Sequence, residues 1–149
     1  MSIPSANCRI ERQVEWIDTD AAQIAHNSAI MRWVEACEVQ LMRDLDLMGF
    51  FPASPRVQQT VNFTAQLSFG QGVEVELTVA KVGTASLTFE FAVTGKAFEG
   101  RPAIPAAHGT VTAVHVPLGS VSSAPWPAEV RARLTAANWT PLTPRAAVA

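Results

Sequence analysis

Two aspartates, a histidine and an asparagine crowd into one short stretch of the chain. Asp18, Asp20, His26 and Asn27 all fall within VEWIDTDAAQIAHNSAIMRWVE, residues 14–35. These types suit acyl transfer. A carboxylate can attack a carbonyl carbon or take a proton from water. A helix that starts just after them offers unpaired backbone N–H groups and a partial positive charge. Such donors polarise a carbonyl and hold the oxyanion that develops on it. A thioester asks for little more, because its thiolate already leaves well. The plainer reading is that Asp and Asn before a helix serve as caps and turn formers, and that a single His in a polar loop is a surface residue. The local pattern leaves both readings open.

The elements around this stretch must position it. Ile10–Ile17 reads as a strand, with Ile10, Val14 and Trp16 on one face. Asp18–Asn27 has no clean period and reads as a loop. Ala29–Leu47 reads as a helix, because Ile30, Trp33, Val34, Cys37, Leu41 and Leu45 make one apolar stripe. Asn27 or Ser28 is expected to cap its start and Gly49 to end it. Pro52–Pro55 reads as a loop, after which the period changes to two. Val57, Val61, Phe63, Ala65, Leu67 and Phe69 alternate with polar residues and predict a strand that runs to Phe69. Turns at Gly70–Gly72 and Gly83 set off strands at Val73–Val79 and Leu87–Val93, and Ala106–Val116 reads as the last strand. Pro125–Asn138 reads as a short helix beginning near Pro127, and residues 140–149 as a fraying tail. The order predicts an α+β domain over residues 1–149. About five antiparallel strands wrap one long helix, with the later strands in meander order.

Bulk properties remove several function classes. A length of 149 residues suits one domain with a real core. A net charge of −2 provides no basic field for nucleic acid or an anionic membrane. No apolar run reaches the roughly 18 residues of a membrane helix, and Met1–Ile10 lacks the apolar core of a signal peptide. Cys8 and Cys37 have no CxxC spacing, which favours reduced thiols and a cytoplasmic setting. His26, His108 and His115 lack metal-site spacing, so no metal is expected. Ser86 has no GxSxG elbow around it. Arg56 and Arg101 read as solvated charges or phosphate contacts, and the tryptophans and phenylalanines as core and interface.

Trp16-Ile17-Asp18-Thr19-Asp20, then Ala21–Asn27, then Arg32-Trp33-Val34-Glu35 resemble the opening motif of the 4-hydroxybenzoyl-CoA thioesterase family. Phe69–Val75, Val82–Leu87 and Gly109–Val116 extend the likeness more loosely. The resemblance implies a hot-dog fold, and hydrolysis of an acyl-CoA or acyl-carrier-protein thioester to a free acid and a thiol. It also implies homodimers that pair their sheets, often as tetramers. Asp20 matches the family's catalytic carboxylate, which is a nucleophile in some members and a general base in others. Asn27 matches the helix-start position whose N–H polarises the thioester carbonyl. Glu35 matches an acidic helix position, as support for Asp20 or for the interface.

The chain departs from the family in places. Many members have Gly where Gln23 stands and an aromatic where Ile30 stands, and some have His where Asn27 stands. The histidine here is His26, which either takes over that role or merely lines the loop. Some members hold the CoA phosphates with basic residues on the central turn. This implies Lys81, Thr84 and Ser86 as the CoA contacts here, and the sparse charge keeps a carrier protein open as acyl donor. No cofactor is expected, since CoA or phosphopantetheine arrives as part of the substrate. Two other functions fit the same residues. One is a hot-dog hydratase or dehydratase built on His26 and Asp20, and the other is a non-catalytic acyl-thioester binding module.

Overall fold

The computed structural model describes residues 6–135. Five strands and two α-helices follow in order: β1 (Asn7–Gln13), α1 (Asn27–Asp44), β2 (Arg56–Phe63), β3 (Gly72–Val82), β4 (Ser86–Gly95), β5 (Ile104–Val114) and α2 (Ala128–Leu134). Short 3-10 segments occupy Trp16–Asp18 and Met48–Ala53. All strand pairs are antiparallel, in the order β1-β3-β4-β5-β2. The expected α+β architecture, a sheet wrapped on one long helix, is what forms.

Hydrophobic alternation builds the sheet's inner face. Val73, Val75, Leu77 and Val79 of β3 are buried, as are Leu87, Phe89, Phe91 and Val93 of β4. The apolar stripe of α1 meets them through Ile30, Trp33, Val34, Cys37, Leu41 and Met42. Each such side chain contributes about 1.5–3 kcal/mol by leaving water. Gly109 lets β2 approach β5, because a Cβ there would overlap the backbone carbonyl of Thr60. Val130 and Leu134 of α2 are buried as well. Among the described residues, no helix is long and apolar enough to cross a membrane.

Several boundaries differ from the sequence reading. The first strand stops at Gln13, and Trp16 and Ile17 lie exposed on the 3-10 turn that follows. The cap of α1 is His26, ahead of both expected caps, Asn27 and Ser28. The helix ends at Asp44 rather than Leu47, and Asp46, with φ of 57°, turns the chain before Gly49 is reached. A 3-10 segment takes in Pro52 and Ala53 of the expected loop, while Ser54 and Pro55 stay irregular. The second strand ends at Phe63, not Phe69. Thr64–Phe69 alternates without joining the ladder, because the chain there crosses from the β2 edge toward β3. The meander order holds over β3, β4 and β5 but not for β2, which pairs with β5 and is no neighbour of β3 in the sheet. The last helix ends at Leu134, so the expectation for the tail from residue 140 lies outside the described residues.

Candidate active site

The loop between β1 and α1 is held at both ends. Val14 N–H donates to Gln71 O at 2.8 Å, and Gly70 N–H donates to Val14 O at 2.9 Å. Asp18 is 5% exposed and braces the turn. Its Oδ2 accepts from Glu15 N–H at 2.9 Å, its Oδ1 from Arg32 Nη2 at 2.8 Å, and its carbonyl from His26 N–H at 2.7 Å. One buried carboxylate thus ties the turn to the first part of α1. Such charge-assisted bonds are the strong ones.

Asp20 organises the tip of the loop. Its Oδ1 accepts from Ala22 N–H at 2.8 Å and Ile24 N–H at 3.4 Å, while its backbone N–H donates to Ile24 O at 3.0 Å. This is the side-chain-to-backbone turn that Asp favours. Oδ2 has no protein partner among the described residues. Gln23 takes the left-handed φ of 62°, which costs a side-chain-bearing residue about 1 kcal/mol and which glycine adopts freely. Phe69 N–H donates to Gln23 O at 3.0 Å and Ala25 N–H to Leu67 O at 2.8 Å, docking the loop on the crossing segment after β2.

The start of α1 completes the site. His26 Nδ1 accepts from Ser28 N–H at 3.2 Å, and Ala29 N–H turns back to His26 O at 2.9 Å. Asn27 is the first helical residue, so its N–H has no intrahelical acceptor. No other acceptor for it occurs among the described residues.

Asp20, His26 and Asn27 open onto one cleft of about 240 Å³. Its remaining walls are Ile24, Ala25, Ile30, Phe63, Ala65, Leu67 and Ala106, with Gln66 at the polar side. Asp20 and Asn27 are exposed, so a carboxylate-bearing residue and the helix-opening residue border the same open space. That arrangement can polarise a carbonyl with the amide and deliver a nucleophile or base from the carboxylate.

Other sequence candidates fall elsewhere. Glu35 is exposed on α1 and does not line the cleft. Lys81, Thr84 and Ser86 lie at the β3–β4 turn, beside Val114, whereas the cleft meets β5 at Ala106. The strand between those points spans about 26 Å at roughly 3.3 Å per residue, so one chain does not bring the two groups together. The turn's backbone is instead held by its neighbours. Trp126 N–H donates to Thr84 O at 3.0 Å, Trp126 Nε1 to Ser86 O at 3.0 Å, and Arg131 to Gly83 O. Arg101 is exposed and donates to Ser68 Oγ at 3.1 Å. His108 is exposed, while His115 is buried against Trp126 with ring centroids 4.9 Å apart. Both cysteines are buried and free of disulfide. The side-chain contact with Cys8, followed by burial, pushes the Cys37 thiol well above its ordinary range, which disqualifies it as a nucleophile. No cluster of three or more metal-ligating side chains occurs among the described residues.

Two features escaped the sequence reading. The apolar walls given by Phe63, Ala65, Leu67 and Ala106 come from segments read only as strand. The buried ion pair between Glu38 and Arg56 was missed as well. Its signal was present: Glu38 sits between Val34 and Leu41 at helical spacing, so it interrupts the stripe that faces the core.

Comparison with known proteins bears on family and fold. The model of the thioesterase-like superfamily matches residues 14–134. The 4-hydroxybenzoyl-CoA thioesterase of Pseudomonas sp. strain CBS-3 superposes with a TM-score of 0.77 at 15% identity, over 87% of this chain and 99% of that one. A 1,4-dihydroxy-2-naphthoyl-CoA thioesterase from Synechocystis gives 0.74 at 19% identity, over 86% and 95%. A thioesterase from Thermus thermophilus, solved with coenzyme A and zinc, gives 0.74 at 22% identity, over 87% and 92%. These likenesses establish the hot-dog fold. A search of curated proteins finds no significant match.

Proposed function

The chain belongs to the thioesterase-like superfamily and is a thioester hydrolase, and we propose that it cleaves an acyl-CoA with Asp20 as the catalytic carboxylate. One observation carries this reading: Asp20, with Oδ2 unengaged, and the open amide of Asn27 line the same apolar-walled cleft. The thioester carbonyl accepts from Asn27 N–H, which draws electrons from the carbonyl carbon and steadies the oxyanion. The positive end of α1 adds to that stabilisation.

Two routes use the same carboxylate oxygen. As a base, Asp20 takes a proton from water while the water oxygen bonds to the carbonyl carbon. The oxyanion then collapses, the C–S bond breaks, and the sulfur leaves with its electron pair and takes up that proton. As a nucleophile, Oδ2 itself bonds to the carbon and expels the thiolate, and water then cleaves the resulting anhydride. Both yield a free acid and a thiol. The structural relatives named as CoA thioesterases support CoA as the acyl carrier. The CoA contacts at Lys81, Thr84 and Ser86, if used, come from a second copy, because those of the same chain lie at the far end of the sheet. The edge strand β2 is open to such a copy, and Phe63 on it is 55% exposed.

Thiol release from aromatic and aliphatic acyl-CoAs tests the assignment. Asp20→Asn is expected to slow turnover by at least about a hundredfold at unchanged melting temperature. A fully active variant refutes the role of Asp20.

A further inference from the structure

The floor of the Asp20 cleft is built by a break in β5. Val93 of β4 pairs with Ala107, but the next residue, Thr94, pairs with Pro105, so Ala106 is one residue more than the ladder needs. Successive residues of a strand face opposite sides. Ala107 faces the core opposite Val93, and a regular strand would turn Ala106 to the outer surface. Instead both alanines are buried, and Ala106 lines the cleft. A bulge re-aims a side chain in this way. Ala106 O accepts from Thr64 N–H at 2.9 Å and from Ala65 N–H at 3.3 Å, which occupies both lone pairs. Depth then sorts the lining by polarity. Asp20, His26, Asn27 and Gln66 are exposed at the mouth, whereas Ile30, Leu67 and Ala106 are buried. Leu67 O is taken by Ala25 N–H. The floor thus offers three alkyl side chains and no side-chain hydrogen-bond partner.

We propose that Ala106, brought inward by the bulge, is a specificity-determining residue that limits the site to short acyl chains with an apolar end. The inference rests on the thioesterase reading above and names its substrate class. A cleft of about 240 Å³ is smaller than the roughly 300–1,000 Å³ of sites that enclose drug-sized ligands. With the thioester carbonyl at Asn27, the chain runs inward past Ile30, which stands on the same face of α1, and ends on the Ala106 methyl. Alanine is the smallest of the three floor side chains, so any larger residue at position 106 shortens the space. A hydroxyl at the end of the chain gives up water and finds no side-chain partner on the floor, which disfavours it.

Thiol release from acetyl-, butyryl-, hexanoyl- and decanoyl-CoA tests the inference through kcat/KM. The wild type is expected to prefer butyryl- and hexanoyl-CoA to decanoyl-CoA, and hexanoyl-CoA to 6-hydroxyhexanoyl-CoA by about tenfold or more. Ala106→Val is expected to lower the hexanoyl-to-acetyl ratio of kcat/KM by about tenfold. Ala106→Gly is expected to raise the decanoyl-to-hexanoyl ratio. Melting temperatures are followed for both, since overpacking a core destabilises it; if the valine variant does not fold, the glycine variant decides. Variants that keep the wild-type acyl profile overturn the inference, as does an equal loss on every chain length. A wild-type preference for decanoyl-CoA or for the hydroxylated chain overturns it too. Asp20→Asn in the same assay keeps the two claims apart. If Asp20→Asn is inactive while the Ala106 variants keep the wild-type profile, only the specificity role fails. If Asp20→Asn is fully active, the parent reading fails with it.

Discussion

Two carboxylates sit against α1, and their surroundings are opposite. Asp20 lies at the helix opening, on a cleft of about 240 Å³, with one oxygen held by loop amides and the other free. Glu38 lies about three turns further along, 3% exposed, in a pocket of about 10 Å³ with Met42, Phe51, Leu87 and Phe89. Its charge is answered by Arg56. That space holds no more than a water molecule. Burial marks Glu38 as structural, and the role proposed for Asp20 rests on unused bonding capacity beside open volume.

The contrast can be broken by mutation. Glu38→Ala strands the Arg56 guanidinium and is expected to cost about 3–5 kcal/mol. The melting temperature should then fall by on the order of 10 °C for a chain of this size, measured by calorimetry. Turnover below the transition should be unchanged, because Glu38 is roughly 16 Å from the helix start at about 1.5 Å per residue. A variant that keeps its stability but loses turnover would reverse the roles of the two acids.

A smaller effect sharpens the loop side of the comparison. Gln23 holds a left-handed backbone in the turn that shapes Asp20. Gln23→Gly relieves about 1 kcal/mol of strain but gives back part of it through a freer unfolded chain. A net gain of less than about 1 kcal/mol in urea unfolding is expected. A clear loss of stability would show that the side chain, not the backbone, matters at this position.

The sequence disclosed regular elements better than it disclosed their neighbours. Alternation exposed β3, β4 and β5 because each buries one face, and the stripe from Ile30 to Leu41 exposed α1. Alternation cannot say which strand pairs with which. Thr64–Phe69 therefore read as sheet, although it packs on the Asp20 loop through Leu67 O and the Ile24–Ser68 bridge. Of the site, Asp20, His26 and Asn27 were legible because they are close in the chain. The walls were not, since Phe63 and Ala106 reach the cleft only through the β2–β5 pairing. Glu35 was drawn in by its motif position, yet its side of α1 faces solvent. The polar interruption that matters for packing is Glu38, one turn on.

Where a thioester carbonyl comes to rest is read directly from the structure of Asp20→Asn with an uncleaved acyl-CoA. The carbonyl oxygen is expected about 2.7–3.1 Å from the Asn27 nitrogen, with the carbonyl carbon facing the side chain at position 20. A thioester seated away from the opening of α1, or with its carbonyl turned from Asn27, would contradict it.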